Sequence, residues 1–188
     1  MKRLLAVIDM QNDFIDGALG TKEALNIVEN VRRRIMAAQK AGAMLVTRLD
    51  SVAWLLNLRA SDIAYNPFAL AYCLVEENTA RLFINAARVP EDVQAALKAQ
   101  GVELCGYEQA RSALAAMEGP ATVLYEPAGT SWAMLRALEE NPAVTLQEGE
   151  EPVQALKGVK NETEIARMKQ AHRKDGAAMV RFEIELRR

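Results

Sequence analysis

The chain has a single histidine and two cysteines in 188 residues, and neither long basic nor long apolar runs. One histidine, His172, excludes a histidine-rich metal centre: a ligand needs convergent partners, and none stands near it in sequence. Two cysteines, Cys73 and Cys105, each in an apolar strand-like setting, exclude a disulfide framework and read as buried thiols of a reducing compartment. The longest basic run is Arg32-Arg33-Arg34, on a helical stretch where it reads as a solvated face, so nucleic acid is not expected as a partner. Before Asp9 the opening offers only Leu4-Leu-Ala-Val-Ile8, too short for a signal core or a membrane span. A cytoplasmic protein with no membrane partner is the expectation.

What is present is an ordinary globular balance: 51% hydrophobic and 26% charged residues, with a formal net charge of −2. Leu4–Ile8 reads as a buried strand, and Asp9–Gly20 as a loop rich in Asp, Asn and Gly. From Thr21, apolar residues at helical spacing (Ala24, Ile27, Val28, Val31, Ile35, Ala38) run to Gly42, and Ala43–Thr47 makes a second strand. This βαβ unit predicts Leu4–Ile8 parallel to Ala43–Thr47. Asp50 or Ser51 then caps a short helical turn that Asn66-Pro67 closes.

Two runs, Leu70–Val75 and Ala80–Asn85, separated by Glu76-Glu77-Asn78-Thr79, predict an antiparallel hairpin. Pro90 opens a helix to about Gln100, followed by a strand at Val102–Cys105 and a helix from Tyr107 to Met117. A strand at Thr122–Tyr125, a helix at Ser131–Glu140, a strand at Ala143–Leu146 and a short helix from Pro152 follow. Asn161 caps a last helix with Glu162 and Glu164 in its first turn, and Ile165, Met168, His172, Met179 and Phe182 near one face. The core is expected to hold Val7, Ile8, Ile27, Val31, Val46, Trp54, Leu74, Ile84, Leu104, Val123 and Leu124. Trp54 and Trp132 read as core or hinge aromatics.

Two family resemblances attach to these stretches. Asp50-Ser-Val-Ala-Trp-Leu-Leu-Asn-Leu-Arg-Ala-Ser-Asp-Ile-Ala-Tyr-Asn-Pro67 resembles the creatinase-like domain that precedes the metallopeptidase domain in aminopeptidase P (Xaa-Pro aminopeptidase), and the likeness covers residues 45–182. The segment from Val159 is similar to the first helix of that family's catalytic domain. The resemblance implies that Arg59, Ser61, Asp62 and Tyr65 border a surface facing the peptidase domain. Val7-Ile-Asp-Met-Gln-Asn-Asp-Phe14 resembles the opening of nicotinamidases among the isochorismatase-like hydrolases, over residues 1–48. That likeness implies that Asp9 is the base of an Asp-Lys-Cys triad. A carboxylate at the carboxyl end of a parallel strand faces the crevice where such sheets bind ligands. The family's metal pattern, Asp-x-His, is replaced by Thr47-Arg48-Leu49-Asp50-Ser51.

Together these readings predict an α/β protein: one mixed sheet with helices on both faces, a creatinase/prolidase N-terminal (ribonuclease-H-like) domain extended by an N-terminal βα unit. Residues 1–158 form that domain and 159–188 a C-terminal helix and tail. The expected function is that of a non-catalytic chimera joined at Met44–Asp50, with no cofactor, metal or small-molecule ligand. Its only partner is a second copy, held through the C-terminal helix. The alternatives are a cysteine amidohydrolase using Asp9 with Cys73 or Cys105, or an accessory fragment of an Xaa-Pro aminopeptidase.

Overall fold

The computed structural model describes residues 42–187. Leu4–Ile8, Asp9 and the expected core residues Val7, Ile8, Ile27 and Val31 lie outside them. The chain divides into two compact units, with the division between Gln154 and Ala155.

In the first unit six strands form one sheet: β1 Ala43–Val46, β2 Ala71–Glu76, β3 Ala80–Ile84, β4 Val102–Gly106, β5 Ala121–Tyr125 and β6 Val144–Glu148. Their order is β4-β3-β2-β1-β5-β6. Only β2 runs against the rest: β1–β2 and β2–β3 are antiparallel, while β1–β5, β3–β4 and β5–β6 are parallel. The β2–β3 hairpin forms as expected, closed by the Glu76 amide donating to the Thr79 carbonyl at 2.8 Å. The strand Leu4–Ile8, expected to run parallel to Ala43–Thr47, lies outside the described residues. Both edges of β1 are hydrogen-bonded, to β2 in the register Leu45↔Leu74 and to β5 in the register Ala43↔Val123. Four apolar residues buried on both faces are what such a central strand requires.

The helices of this unit are α1 Leu49–Leu55, α2 Glu91–Ala99, α3 Ala110–Ala115 and α4 Trp132–Glu139, and α5 Pro152–Gly158 crosses the division. Side-chain alternation sorts the sheet into two faces. Ala43, Leu45, Leu74, Phe83 and Val123 point one way and pack with Ala110 and Leu114 of α3 and Met134, Ala137 and Leu138 of α4. Met44, Val46, Cys73, Leu82 and Leu124 point the other way, and they too are buried. Val46, Leu74, Ile84, Val123 and Leu124 are core residues as expected; Trp54 and Leu104 are only half-buried. Trp132 is 70% exposed, because it opens α4 off the face that carries Met134, Ala137 and Leu138. Its ring instead lies 6.0 Å from the Arg136 guanidinium carbon.

Asn141 ties α3 to β6: its amide Nδ2 donates to the Leu114 and Met117 carbonyls, and its Oδ1 accepts from the Ala143 amide at 3.0 Å. Gly101, with φ +74°, ends α2 by letting its own amide reach back to the Lys98 carbonyl, a left-handed turn where a side chain is strained.

The second unit contains α6, Glu162–Leu186. Its start is the expected capping box: Asn161 Oδ1 accepts from the Glu164 amide, and the Glu164 carboxylate accepts from the Asn161 amide, both at 2.8 Å.

Candidate functional site

At the carboxyl ends of the parallel strands β1, β5 and β6, three loops converge on a group of polar side chains. Arg48 follows β1, Glu126 follows β5 and Glu151 follows β6. Arg48 Nε donates to Glu126 Oε2 at 2.5 Å, and the Thr47 hydroxyl donates to the Gly129 carbonyl at 2.7 Å, so the β1 and β5 loops are pinned together. The hydrogen bond to Glu126 holds the Arg48 guanidinium above its ordinary pKa. The helix start was expected at Asp50 or Ser51; its N-cap is Arg48, and it has no side-chain cap. Asp50 lies in the first turn. Ser51 is instead buried, and its hydroxyl accepts from Gln154 Nε2 at 2.5 Å.

Glu151 is the unusual member. It is 5% exposed, and its Oε1 has no hydrogen-bond partner. Burial pushes its carboxyl up to about 7, with the Glu126 and Asp50 charges adding to the rise and the Ser51 hydrogen bond and Arg48 opposing it. It therefore changes charge near neutrality, inside a site that already holds a positive and a negative partner. The sequence hid this residue, because Gly149-Glu150-Glu151-Pro152 reads as a polar loop before a helix. The only signal was a carboxylate immediately preceding Pro152, in the loop after a strand.

A second feature is the loop between α1 and β2. Arg59 Nη1 donates to the Ala53 and Leu58 carbonyls at 2.7 and 2.8 Å, and its burial lowers the guanidinium pKa. Asp62 Oδ2 accepts from the Leu70 amide at 2.9 Å while its Oδ1 pairs with Arg88. The Ala60 amide reaches the Pro67 carbonyl, and Ile63 and Asn66 form a β-bridge. Between these clamps Tyr65 stands fully in solvent at φ +66°. A tyrosine in the left-handed region costs about 1 kcal/mol or more. Of the four residues expected on this surface, Ser61 and Tyr65 are exposed, whereas Arg59 and Asp62 face inward and brace the loop.

The two thiols do not form a common site. Cys73 pairs with Leu82 and Cys105 with Phe83, consecutive residues of β3, so they project from opposite faces of the sheet. Neither is in a disulfide. Burial pushes the Cys105 thiol up, away from the thiolate a nucleophile needs. Asp9 lies outside the described residues. His172 is exposed on α6. Among the described residues no three His, Cys, Asp or Glu side chains are placed to hold a metal ion, and no helix is long and apolar enough to cross a membrane.

Comparison with known proteins gives one consistent family. The model of the creatinase/prolidase N-terminal domain matches residues 20–164. A probable Xaa-Pro aminopeptidase P of Pyricularia oryzae is 35% identical over 162 residues, 80% of this chain and 26% of that protein. Its counterpart in Neurospora crassa is 33% identical over 172 residues, 87% of this chain and 24% of that protein. Among solved structures, an X-prolyl aminopeptidase from Caenorhabditis elegans, described as a cytosolic enzyme with a di-nuclear active site, superposes with a TM-score of 0.75 at 31% identity. It covers 98% of this chain, which spans 29% of it. A prolidase from Pyrococcus horikoshii shares the fold at a TM-score of 0.54 and 17% identity. The chain thus spans about a quarter of the length of the curated relatives it matches. The family match runs unbroken through residues 44–50, where a join between two families was expected, and none of these comparisons supports an isochorismatase-like part or a chimera. The chain belongs to the creatinase/prolidase N-terminal domain family.

Proposed function

We propose that this chain is the accessory, non-catalytic part of an Xaa-Pro aminopeptidase-type peptidase, and that the loop 61–68 is a surface it presents to the peptidase part. The observation that carries the reading is Tyr65. A bulky side chain held in a strained backbone region and left wholly in water has no stabilising role in this fold. Such strain persists where an outward-facing residue is selected for contact. The clamps from Arg59 and from the Asp62–Arg88 pair fix the loop in advance, so little ordering cost remains at docking. The family relationship supports this choice of partner: the relatives are named as probable Xaa-Pro aminopeptidases, and this chain spans about a quarter of their length.

The test mixes this chain with the peptidase part of a relative, follows association by calorimetry, and assays Xaa-Pro peptide cleavage with manganese. The expected result is no cleavage by this chain alone and saturable association that Tyr65→Gly weakens by roughly tenfold or more. Cleavage by this chain alone, or association indifferent to Tyr65, refutes the reading.

A further inference from the structure

The 25-residue helix α6 buries none of its side chains. Helical propensity alone does not hold such a helix firmly in water; an apolar stripe covered by a partner does. The stripe is present. Ile165, Met168, His172, Asp175, Met179, Phe182 and Leu186 are spaced alternately by three and four residues, the seam of a coiled coil. Ile165, Met168, Met179, Phe182 and Leu186 are 41–69% exposed.

The order of these residues identifies what covers them. About the midpoint between Arg173 and Lys174 the positions of the stripe mirror one another: Ile165 falls on Phe182, Met168 on Met179 and His172 on Asp175, while Leu186 falls on the cap Asn161. We propose that α6 pairs with α6 of a second copy of this chain in an antiparallel coil centred between Arg173 and Lys174. Each half then has two apolar layers, Ile165 against Phe182 and Met168 against Met179. At the centre the imidazole of each His172 meets the Asp175 carboxylate of the other copy, twice by symmetry.

A parallel pair would place His172 on His172 and Asp175 on Asp175, unlike groups never meeting. Ala171, Gly176 and Ala178 flank the centre and let the backbones approach. In this register Glu164 mirrors Glu183 and Glu162 mirrors Glu185 across the ends; Glu164 caps its own helix and Glu183 pairs with Arg187. The pairing is isologous, so it closes at two copies. It uses a different observation from the accessory reading and does not rest on it.

The experiment is sedimentation equilibrium on the full chain, with circular dichroism confirming unchanged helix content in each variant. A dimer is expected at tens of micromolar, with Phe182→Lys weakening it tenfold or more. His172→Asp should weaken it by setting carboxylates against carboxylates. Adding Asp175→His to that variant should restore it, because antiparallel pairing keeps each His–Asp contact when the two are exchanged. Oxidation should join two copies in the Met168→Cys, Met179→Cys double variant, position 168 of one copy to position 179 of the other. The Met168→Cys single variant should form no link between the two copies of position 168, which peptide mapping of the oxidised protein reads directly. A monomer throughout this range, as expected if α6 serves only to dock a peptidase part, overturns the proposal. Failure of the exchange to restore association, or a link from position 168 to position 168, overturns the antiparallel register.

Discussion

Glu151→Gln keeps the shape of a buried side chain and removes its ability to ionise. In the folded chain this carboxyl titrates at about 7, against an ordinary value of 4.5. The folded state therefore binds a proton more tightly than the unfolded one. Below about 4.5 both states are protonated, and Glu151 makes no pH-dependent difference. Between 4.5 and 7 stability falls as pH rises, and above 7 the whole loss has been taken. At about 1.4 kcal/mol per tenfold, the interval comes to roughly 3 kcal/mol. Arg48, facing the same carboxyl, is the one positive charge that opposes the shift, while Glu126 and Asp50 reinforce it. Urea denaturation of wild type and Glu151→Gln at pH 5 and pH 8.5 isolates the effect. The variant should gain about 2–3 kcal/mol relative to wild type on going from the lower to the higher pH, because part of the loss has already been taken at pH 5. An offset identical at the two pH values would refute the dominance of burial at this site.

Other substitutions follow from the same packing. Asn141→Ala strands the Leu114 and Met117 carbonyls and should cost about 2–3 kcal/mol by urea denaturation. Phe83→Ala leaves a cavity in the core between the sheet and the helices α3 and α4 and should cost about 3–5 kcal/mol, read the same way. Arg59→Met removes both hydrogen bonds donated by Nη1 to the Ala53 and Leu58 carbonyls and should cost about 2 kcal/mol, with faster amide exchange confined to residues 57–70. Tyr65→Gly should raise stability by about 1 kcal/mol, relieving the left-handed strain; a loss would show that the side chain packs on its own fold.

The strands and the α6 cap were legible because each depends on neighbours in sequence. Four or five apolar residues in short runs between polar loops give β1, β2 and β3, and Asn161 with Glu164 three residues on gives the capping box. Strand neighbours were not legible in the same way. A run like Ala43–Val46, buried on both faces, fits any α/β sheet, so it told neither that β2 and β5 flank it nor which family it belongs to. The polar site escaped notice because Arg48, Glu126 and Glu151 stand far apart in the chain and meet only once the strands are aligned. Tyr65 was legible as a surface residue, whereas its backbone strain became apparent only with the dihedral angle.

The place of β1 between β2 and β5 has a consequence for the order in which the chain assembles. The β2–β3 hairpin closes a turn of a few residues, and β3–β4 and β5–β6 each bridge one helix. Joining β1 to β5 instead closes a loop of about eighty residues, an entropic cost about 3 kcal/mol above that of the hairpin turn. The β1–β2 pairing closes a much shorter loop, so two local pieces, β1–β2–β3–β4 and β5–β6, form early and the junction between β1 and β5 closes last. Until that junction closes, each piece presents an unpaired strand edge, β1 on one and β5 on the other, to any other chain nearby. The interval before that closure is when this protein is most exposed to misassembly in a crowded cell.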